Sequence, residues 1–579
     1  MKVSDIVIEF FKQKEIQSVF TISGGGCIHL IDSLRKSGLT TVCPHHEQTA
    51  LMAVEGHYRM NGKIAAGIVT TGPGGTNTLT GLLGLWLDSI PAIIVSGQVP
   101  QNQMSEGTGC RQIGDQEFDI VSVVKPMTKY AITLKNPYDV YSELERAYDI
   151  ATSGRPGPVW IDIPLDVQGF LIKDESLCST YDKVDMEPHF MSTYVPDFEQ
   201  MLSMANKPLV IVGNGINLSD TNKELQNFLD KTGIPIVTGP HSGVDVVDNT
   251  YKYYAGRIGI LGQLTSNQIV QDADLLICLG TRLPVKMTGY NFAEFSPNSK
   301  KIMVDIDRNE IRKHKFTIDL PIIADLRRFF KEIESVNYQK DISNWQERVL
   351  ELRSEQKYFY PKHESIQEYA SFYYLIDKAP PIFGTTPIVT SNGSAHVITL
   401  QNYRINKDQR LFTNVGCASM GYGLPAAIGA CIANDKKPVI CIEGDGSIMM
   451  NLQELETLRG YNLPVKTIII NNDGYLSIKL SQESFFGGEE FASGPNNGVT
   501  IPNFQKVSDA FDLKYFSIKH NSEIETRLKE MMEYDGPCIL EVFTHPYERH
   551  EPKVTHKGVD DNGRIIPGTL TDMFISETF

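Results

Sequence analysis

The chain has 579 residues, and its 70 aspartates and glutamates outnumber its 54 lysines and arginines, which gives a net charge of −16 at pH 7. This length exceeds what one hydrophobic core supports and predicts three domains. The acidic balance argues against nucleic acid or an anionic membrane surface as the main partner. The nine cysteines include no Cys-x-x-Cys pair, and no apolar run reaches membrane-spanning length. We therefore expect buried thiols in a reducing, cytoplasmic environment.

Short apolar runs alternate with helical patterns along most of the chain. This alternation predicts an α/β fold of three doubly wound parallel-sheet domains, over residues 1–170, 190–340 and 365–545. Functional groups are then expected at the carboxyl ends of the strands. Residues 170–200 predict a linker, residues 341–362 predict a surface helix between domains, and residues 546–579 form a tail that is a candidate lid.

Glu47 follows the apolar run 40–43 in the first domain and precedes a helical pattern that starts near Gln48. A glutamate at a helix start is favoured by the helix dipole, which is the plain structural explanation. The glycine-rich residues 72–77 follow another strand end, where glycines either let the backbone approach a ligand or allow tight packing. Neither segment identifies a function alone.

Two strand ends in the third domain carry groups that suit a metal ion. Asp445 and Asn472 are 27 residues apart, and each follows a predicted strand. The predicted elements are a strand over 438–442, a helix over 449–461 and a strand over 465–470. Mg²⁺ prefers oxygen ligands, and the Asp445 carboxylate, the Asn472 side-chain oxygen and a carbonyl at Gly474 offer three. A Gly-Asp-Gly alone is typical of a turn, but the second strand end favours a metal clamp on a diphosphate.

Together these segments resemble the signature of thiamine diphosphate (ThDP) enzymes, and nearly the whole chain is similar to the acetolactate synthase (acetohydroxyacid synthase) family. The resemblance also rests on Pro44-His45-His46-Glu47-Gln48 and on Ser153-Gly154-Arg155-Pro156-Gly157-Pro158. It implies a pyrimidine-binding first domain, an FAD-type central domain and a third domain that binds diphosphate and Mg²⁺. It also implies a homodimer or homotetramer whose sites form between subunits.

The resemblance assigns roles to individual residues. Glu47 corresponds to a glutamate that exchanges a proton with the aminopyrimidine ring so that C2 of the cofactor can be deprotonated. Gln116 corresponds to a glutamine that faces the reacting centre. Met420 corresponds to a methionine that holds the cofactor bent, with core filling as the alternative, and the carbonyl of Ala418 accepts from the 4′-amino group. The other residues implied to bind ThDP are Gly74, Asn77, Ser394, His396, Gly446 and Ser447.

The same resemblance implies FAD in the central domain, with backbone amides and helix starts facing its phosphates. The residues implied to bind it are Arg155, Gly213, Gly215, Gly280, Arg282, Asp305 and Asp325. The alternative is a central domain with no ligand, as in many ThDP enzymes.

The acceptor half of the site departs from the family pattern. Asp115 stands in place of a phenylalanine, Leu165 of a lysine, Lys286 of an arginine and Ser481 of a tryptophan, and Ser477 belongs to the same predicted pocket. A pocket with an added carboxylate and fewer cations suits a neutral, hydroxyl-rich acceptor better than an anionic second 2-keto acid.

We therefore expect transfer of a two-carbon unit from pyruvate to a larger polar acceptor, as in relatives that use nucleotide-linked keto sugars. Three alternatives stay open. The first is acetolactate synthase itself, in which pyruvate is also the acceptor. The second is a simple 2-keto acid decarboxylase, and the third is a cofactor-binding scaffold without turnover.

Overall fold

The computed structural model describes residues 1–183, 194–240, 243–562 and 565–577. Its core consists of three six-stranded sheets in which every strand pair is parallel. The prediction of three doubly wound α/β domains is confirmed. The predicted linker over residues 170–200 lies partly outside the described residues. In the part of the chain that the structure describes, no helix combines the length and apolar character that a membrane crossing requires.

The first sheet lies in the N-terminal domain, and its inner strands are buried along their whole length, as is typical of a parallel sheet covered on both faces. Its strands are β1 (Ser18–Thr21), β2 (Thr40–Val42), β3 (Ala66–Val69), β4 (Ala92–Gln98), β5 (Tyr130–Thr133) and β6 (Pro158–Pro164). Their spatial order is β2-β1-β3-β4-β6-β5. Its helices are α1 (Val3–Gln13), α2 (Ile28–Arg35), α3 (Glu47–Asn61), α4 (Pro73–Thr76), α5 (Leu79–Leu87), α6 (Ile120–Val124), α7 (Val140–Thr152) and α8 (Leu165–Gly169).

The second sheet forms the central domain and has its own hydrophobic core. Its strands are β7 (Pro208–Val212), β8 (Ile236–Thr238), β9 (Tyr254–Arg257), β10 (Leu275–Leu279), β11 (Lys300–Asp305) and β12 (Leu320–Ile323). Their spatial order is β12-β11-β10-β7-β8-β9. Its helices are α9 (Val195–Met204), α10 (Gly215–Leu218), α11 (Asn222–Thr232), α12 (Leu264–Asp272), α13 (Val285–Thr288), α14 (Arg308–Arg312), α15 (Leu326–Ile333) and α16 (Ser343–Ser354).

The third sheet repeats the strand order of the first, with its edges at the second and fifth strands of the domain. Its strands are β13 (Ile388–Thr390), β14 (Leu411–Phe412), β15 (Val439–Gly444), β16 (Val465–Asn471), β17 (Lys514–Ile518) and β18 (Cys538–Phe543). Their spatial order is β14-β13-β15-β16-β18-β17. Its helices are α17 (Pro361–Ser365), α18 (Phe372–Lys378), α19 (Pro380–Phe383), α20 (Gly393–Asn402), α21 (Gly423–Ala433), α22 (Glu454–Tyr461), α23 (Leu476–Phe486), α24 (Phe504–Ala510) and α25 (Ile524–Glu533).

Two predicted helices are shorter in the structure. The helix predicted over residues 449–461 begins only at Glu454, after a 3₁₀ turn, Ile448–Met450. Asn451 explains the delay, because its side chain donates to the carbonyl of Gly421 at 2.8 Å and ties this segment to the loop before α21. The surface helix predicted over residues 341–362 is interrupted: α16 ends at Ser354, and α17 begins only at Pro361.

The first and third domains share one hydrophobic core, because α3 packs directly against α21. Two glycines allow this close approach. A β-carbon on Gly56 would lie 2.1 Å from the carbonyl oxygen of Ala426, and one on Gly429 would lie 1.9 Å from that of Ala53. The helix that begins at Glu47 is therefore held in a fixed position against the third domain.

The tail packs on the central domain. Its strands are β19 (Lys553–Val554), β20 (His556–Val559), β21 (Ile565–Pro567) and β22 (Met573–Phe574), which pair as β19-β22 and β20-β21. Val554 donates its amide to the carbonyl of Ile260 at 2.9 Å. Asn267 donates its side chain to the carbonyl of Leu570 at 2.8 Å, and Leu570 is buried in the central core. The tail is thus docked rather than free.

Candidate active site

Asp445 and Asn472 lie at the carboxyl ends of neighbouring strands, because β15 and β16 pair in parallel and end side by side. Asp445 Oδ2 accepts from the backbone amides of Asn472 at 3.2 Å and of Gly474 at 3.0 Å. Its Oδ1 accepts from the amide of Gly446 at 2.7 Å. The structure therefore brings together the three residues predicted to bind a metal.

This clamp has the properties of a cation site. Asp445 is 1% exposed, and burial raises the pKa of its carboxyl to about 7 against the opposing effect of the three amides. The side-chain oxygen of Asn472 is buried and has no hydrogen-bond partner among the described residues. Such an oxygen is costly unless a donor or cation meets it. A carboxylate beside neutral oxygens suits Mg²⁺, which completes its coordination with phosphate oxygens and water.

Ser447 connects the clamp to the loop before α21. Its hydroxyl accepts from the amide of Gly421 at 2.9 Å. Ala418 and Met420, in the same loop, line the cavity that contains the clamp. Ala418 has a φ of +51°, and its carbonyl accepts from Asn392 Nδ2 at 3.2 Å, which leaves its second lone pair for a ligand. Met420 is half-buried and faces the cavity, so core filling alone does not account for it.

Ser394 and His396 lie in the first turn of α20, on the same cavity. Ser394 Oγ is 2.9 Å from Nε2 of His550, a tail residue that sequence reasoning missed. Burial lowers the pKa of His396 to about 3 and that of His550 to about 4, so both rings are neutral at pH 7. His550 therefore acts at Ser394 as a hydrogen-bond partner and not as a cation.

The cavity has a volume of about 970 Å³, and its wall combines the third domain, the central domain and the tail. That volume lies near the top of the usual range for small-molecule sites. The predicted residues that line it are Lys286, Ser394, His396, Ala418, Met420, Asp445, Gly446, Ser447, Asn472, Gly474, Ser477 and Ser481.

Glu47 lies outside this cavity, in a second group on the N-terminal domain. It is half-buried at the start of α3, and its Oε2 accepts from Asn77 Nδ2 at 3.0 Å. A β-carbon on Gly74 would lie 3.8 Å from its Oε1. The carbonyl of Gln116, whose φ is +60°, occupies the space that a β-carbon on Gly72 would need, at 2.4 Å. The structure thus gathers four predicted residues around one strand-end turn.

Known proteins match all three domains. Thiamine pyrophosphate (TPP) is another name for ThDP. Residues 1–123 match the N-terminal TPP binding domain of thiamine pyrophosphate enzymes, and residues 391–542 match their C-terminal TPP binding domain. Residues 197–333 match the central domain of the same enzymes. The acetolactate synthase isozyme 2 large subunit of Escherichia coli (strain K12) is 32% identical over 550 residues, which cover 95% of this chain and 96% of that protein. The chain belongs to the acetolactate synthase family.

Two further relatives are similar to this chain over nearly its whole length. The acetolactate synthase large subunit of Lactococcus lactis subsp. lactis (strain IL1403) is 31% identical over 566 residues, covering 95% of this chain and 94% of that protein. Acetolactate synthase 2, chloroplastic, of Nicotiana tabacum is 30% identical over 578 residues, covering 95% of this chain and 83% of that protein. The resemblance is therefore not limited to the cofactor motifs.

A second cleft, of about 430 Å³, lies between the central domain and the other two. The predicted FAD residues that line it are Arg155, Gly215, Gly280, Arg282, Asp305 and Asp325, and Gly213 lies outside. Backbone amides in general were expected to face the phosphates, and three glycine amides at this cleft do not point into it. The amides of Gly213, Gly215 and Gly280 all donate to backbone carbonyls, at 2.9–3.1 Å, because the strand-end loops pack against each other.

The arginines of this cleft are already paired with carboxylates. Arg155 contacts Asp307 at 2.9 Å and Glu310 at 2.7 Å, and Arg282 lies 3.9 Å from Asp88. A ligand phosphate in this cleft would therefore share its arginines with acidic side chains.

The four residues that depart from the family pattern lie in two separate parts of the structure. Lys286 and Ser481 line the large cavity together with Ser477. Asp115, which is exposed, and Leu165, at the start of α8, lie on the N-terminal domain outside it. Within one chain, the structure does not bring the four departures into a single acceptor pocket.

The cavity is richer in cations than the sequence predicts. The tail brings Arg549 and Lys553 to the wall that already carries Lys286. Arg549 pairs with Glu483 at 2.6 Å, whereas neither lysine has an ion-pair partner within the described residues. Sequence reasoning missed Lys553, since no local pattern indicates where a tail docks.

Proposed function

We propose that this protein removes CO₂ from pyruvate and transfers the remaining two-carbon unit to the carbonyl of a larger polar acceptor, such as a nucleotide-linked keto sugar, with ThDP and Mg²⁺ as cofactors. The observation that carries the proposal is the cavity of about 970 Å³, which contains the whole clamp and has the small side chains of Ser477 and Ser481 in its wall. A cavity of this size admits an acceptor larger than a second pyruvate beside the cofactor.

The chain's own residues divide the work between two groups. Asp445, Asn472 and Gly474 supply oxygen ligands for Mg²⁺, which holds a diphosphate. Glu47 holds and returns a proton at Oε1, while Asn77 donates to Oε2 and fixes the orientation of the carboxylate. Bound ThDP supplies the electron sink that permits decarboxylation and carbon–carbon bond formation.

In this proposal the docked tail shields the reacting carbon from water. Residues 549–551 and 553–556 form part of the cavity wall, so they limit the access of water to the reacting carbon. A proton from water would end the reaction at decarboxylation, and its exclusion favours transfer to the acceptor carbonyl.

A second candidate function is acetolactate synthesis, in which pyruvate is also the acceptor. It is favoured by the names of the relatives, which are acetolactate synthase large subunits at about 30% identity. The two candidates share the donor half of the reaction and differ only in the acceptor.

We also propose that the cleft of about 430 Å³ binds FAD, as the central domain of the resembled family does. The glycine amides at this cleft already donate to backbone carbonyls. The contacts with FAD would therefore come from side chains such as those of Arg282 and Asp325. Flavin absorbance of the purified protein, before and after incubation with FAD, tests this proposal. Protein that neither carries nor takes up flavin contradicts it.

The assembly that fits this function is a homodimer, or a homotetramer of such dimers, in which Glu47 of one subunit completes the cavity of the other. The proposal is supported by the position of Glu47, which lies outside the cavity of its own chain, whereas the clamp lies inside.

The decisive experiment incubates purified protein with pyruvate, ThDP and Mg²⁺, with and without candidate keto sugars, and measures CO₂ and products. The proposal expects CO₂ release and a larger adduct that forms at the expense of acetolactate. Acetolactate alone, with every keto sugar ignored, supports the second candidate. CO₂ and acetaldehyde without any condensation product identify a simple decarboxylase. Protein without ThDP is the control.

A further inference from the structure

The tail strand β19 directs a lysine into the cavity. Its two residues, Lys553 and Val554, point to opposite sides of the strand. Val554 packs on the core of the central domain, so Lys553 faces away from that core, and it lines the cavity that contains the clamp. The strand is fixed by its pairing with β22 and by the hydrogen bond from Val554 to Ile260.

Lys286 reaches the same cavity from the central domain, and both lysines depend on one anchor. Ile260 donates its amide to the carbonyl of Lys286 at 2.8 Å. The carbonyl of Ile260 accepts from Val554, the residue after Lys553, at 2.9 Å. Both backbones are therefore one hydrogen bond away from the same residue, which places the two lysines on one wall.

The positive charges of Lys286 and Lys553 are not balanced by Glu551 or by His550. Glu551 is paired with Lys362, and His550 is neutral because burial lowers its pKa to about 4. Lys286 and Lys553 make no ion pair or side-chain hydrogen bond with any residue that the structure describes, and desolvation in the cavity lowers the pKa of both. Both lysines are exposed to solvent, and two ammonium groups on one cavity wall favour an anionic ligand by charge attraction.

We propose that Lys553 and Lys286 together bind a phosphoryl or diphosphate group carried by the acceptor substrate; this rests on the proposed function, in which the acceptor reacts in this cavity. Lysine offers a compact charge that suits a phosphate oxygen, whereas the planar fork of arginine is the better match for a carboxylate. Two separate cations also match the several charges of a diphosphate better than the single charge of a carboxylate. The acceptor class is thus a phosphorylated or nucleotide-linked carbonyl compound.

The test uses full-length protein saturated with ThDP and Mg²⁺, and uridine diphosphate is the probe. Calorimetry gives its Kd for the native protein and for Lys553→Met, Lys286→Met and Lys557→Met. The last variant is the control, because Lys557 pairs with Asp572 and lies outside the cavity wall. Loss of one charged hydrogen bond should weaken binding about tenfold or more in the first two variants, and the control should bind like the native protein.

Two further measurements identify the anion. The Kd for ThDP and the pyruvate KM for CO₂ release should not change in Lys553→Met. A parallel loss of ThDP affinity would assign the lysine to the cofactor diphosphate and overturn the proposal. A raised pyruvate KM with unchanged binding of uridine diphosphate would assign it to the donor carboxylate, with the same consequence.

The proposal is also overturned if the native protein does not bind uridine diphosphate, or if Lys553→Met binds it as tightly. Failure of the proposed function is recognised separately. One distinguishing outcome is that the native protein binds uridine diphosphate in a Lys553-dependent way and yet releases no CO₂ from pyruvate. That result would support the anion site and refute the proposed decarboxylation and transfer.

Discussion

Asp445 and Glu47 are two carboxylates held in contrasting surroundings. Asp445 is 1% exposed and accepts from three backbone amides. Glu47 is half-buried and accepts from one side-chain amide, that of Asn77. Rigid backbone donors suit a carboxylate that must stay in place beside a cation, and a more accessible carboxylate suits repeated proton exchange. The two environments therefore match the two proposed roles.

Glu47→Gln should retain ThDP and lose exchange of its C2 proton. The amide keeps the size of the side chain and its contact with Asn77 but cannot hold and return a proton, so the exchange rate should fall by about 10²–10⁴-fold. NMR of the C2 proton measures the rate. Asn77→Ala is the companion variant, and it should slow exchange less because it disturbs only the orientation of Glu47. Exchange at the native rate in Glu47→Gln would show that another group moves the proton.

Asp445→Ala should lose ThDP itself, because the diphosphate is held largely through Mg²⁺ and this substitution removes a ligand. ThDP retained after desalting, measured by its absorbance, tests this. Asp473→Asn is the control, since Asp473 is an exposed neighbour that lies outside the cavity wall and Asn tolerates its φ of +59°. If Asp445→Ala retained ThDP fully, the assignment of Asp445 to the cofactor site would be wrong.

The sequence could predict which residues of the candidate clamp lie together, but not which residues the tail adds to the cavity. Asp445 and Asn472 could be paired from sequence because parallel strands bring their carboxyl ends to one edge, a rule that needs only local patterns. Lys553 and His550 could not be placed, because they reach the cavity only through long-range docking of the tail on Ile260 and Asn267.

At the scale of elements, the contact between α3 and α21 fixes the position of Glu47. The backbones approach so closely that only glycine fits at Gly56 and Gly429. The alternation of strands and helices followed from apolar periodicity, but this contact did not, since a glycine within a helical pattern also indicates a weaker helix. The late start of α22 was missed for a similar reason, as it depends on the bond from Asn451 to a distant loop.

Gly56→Ala should destabilise the protein by roughly 1–3 kcal/mol, because the added methyl group must push the helices apart. Gly460→Ala is the matched control: nothing lies within 4 Å of a β-carbon there, so the better helix former should stabilise by up to about 1 kcal/mol. The midpoints of thermal unfolding compare the two. A Gly56→Ala midpoint equal to or above the native one would mean that α3 and α21 tolerate separation.

At the scale of the whole molecule, the two groups of candidate site residues lie apart within one chain. The Glu47 group lies on the first sheet and the clamp on the third, and the shared core of α3 and α21 keeps them in a fixed relation. In the proposed homodimer, a two-fold partner would bring the Glu47 group of one chain to the clamp of the other, and the symmetric dimer would have two equal sites.

Co-expression of Glu47→Gln chains with Asp445→Ala chains should therefore restore activity that neither variant has alone. In a hybrid dimer, one site receives the intact Glu47 and the intact Asp445 from different chains, and the other site receives both defects. Random pairing makes half of the dimers hybrid with one working site in two, so recovery should approach about a quarter of the native rate. Two affinity tags allow the hybrid to be purified and its CO₂ release to be measured. If the two halves acted within one chain, each subunit of the hybrid would carry one defect, and no activity would return; a catalytically active monomer in light scattering would contradict the shared site in the same way.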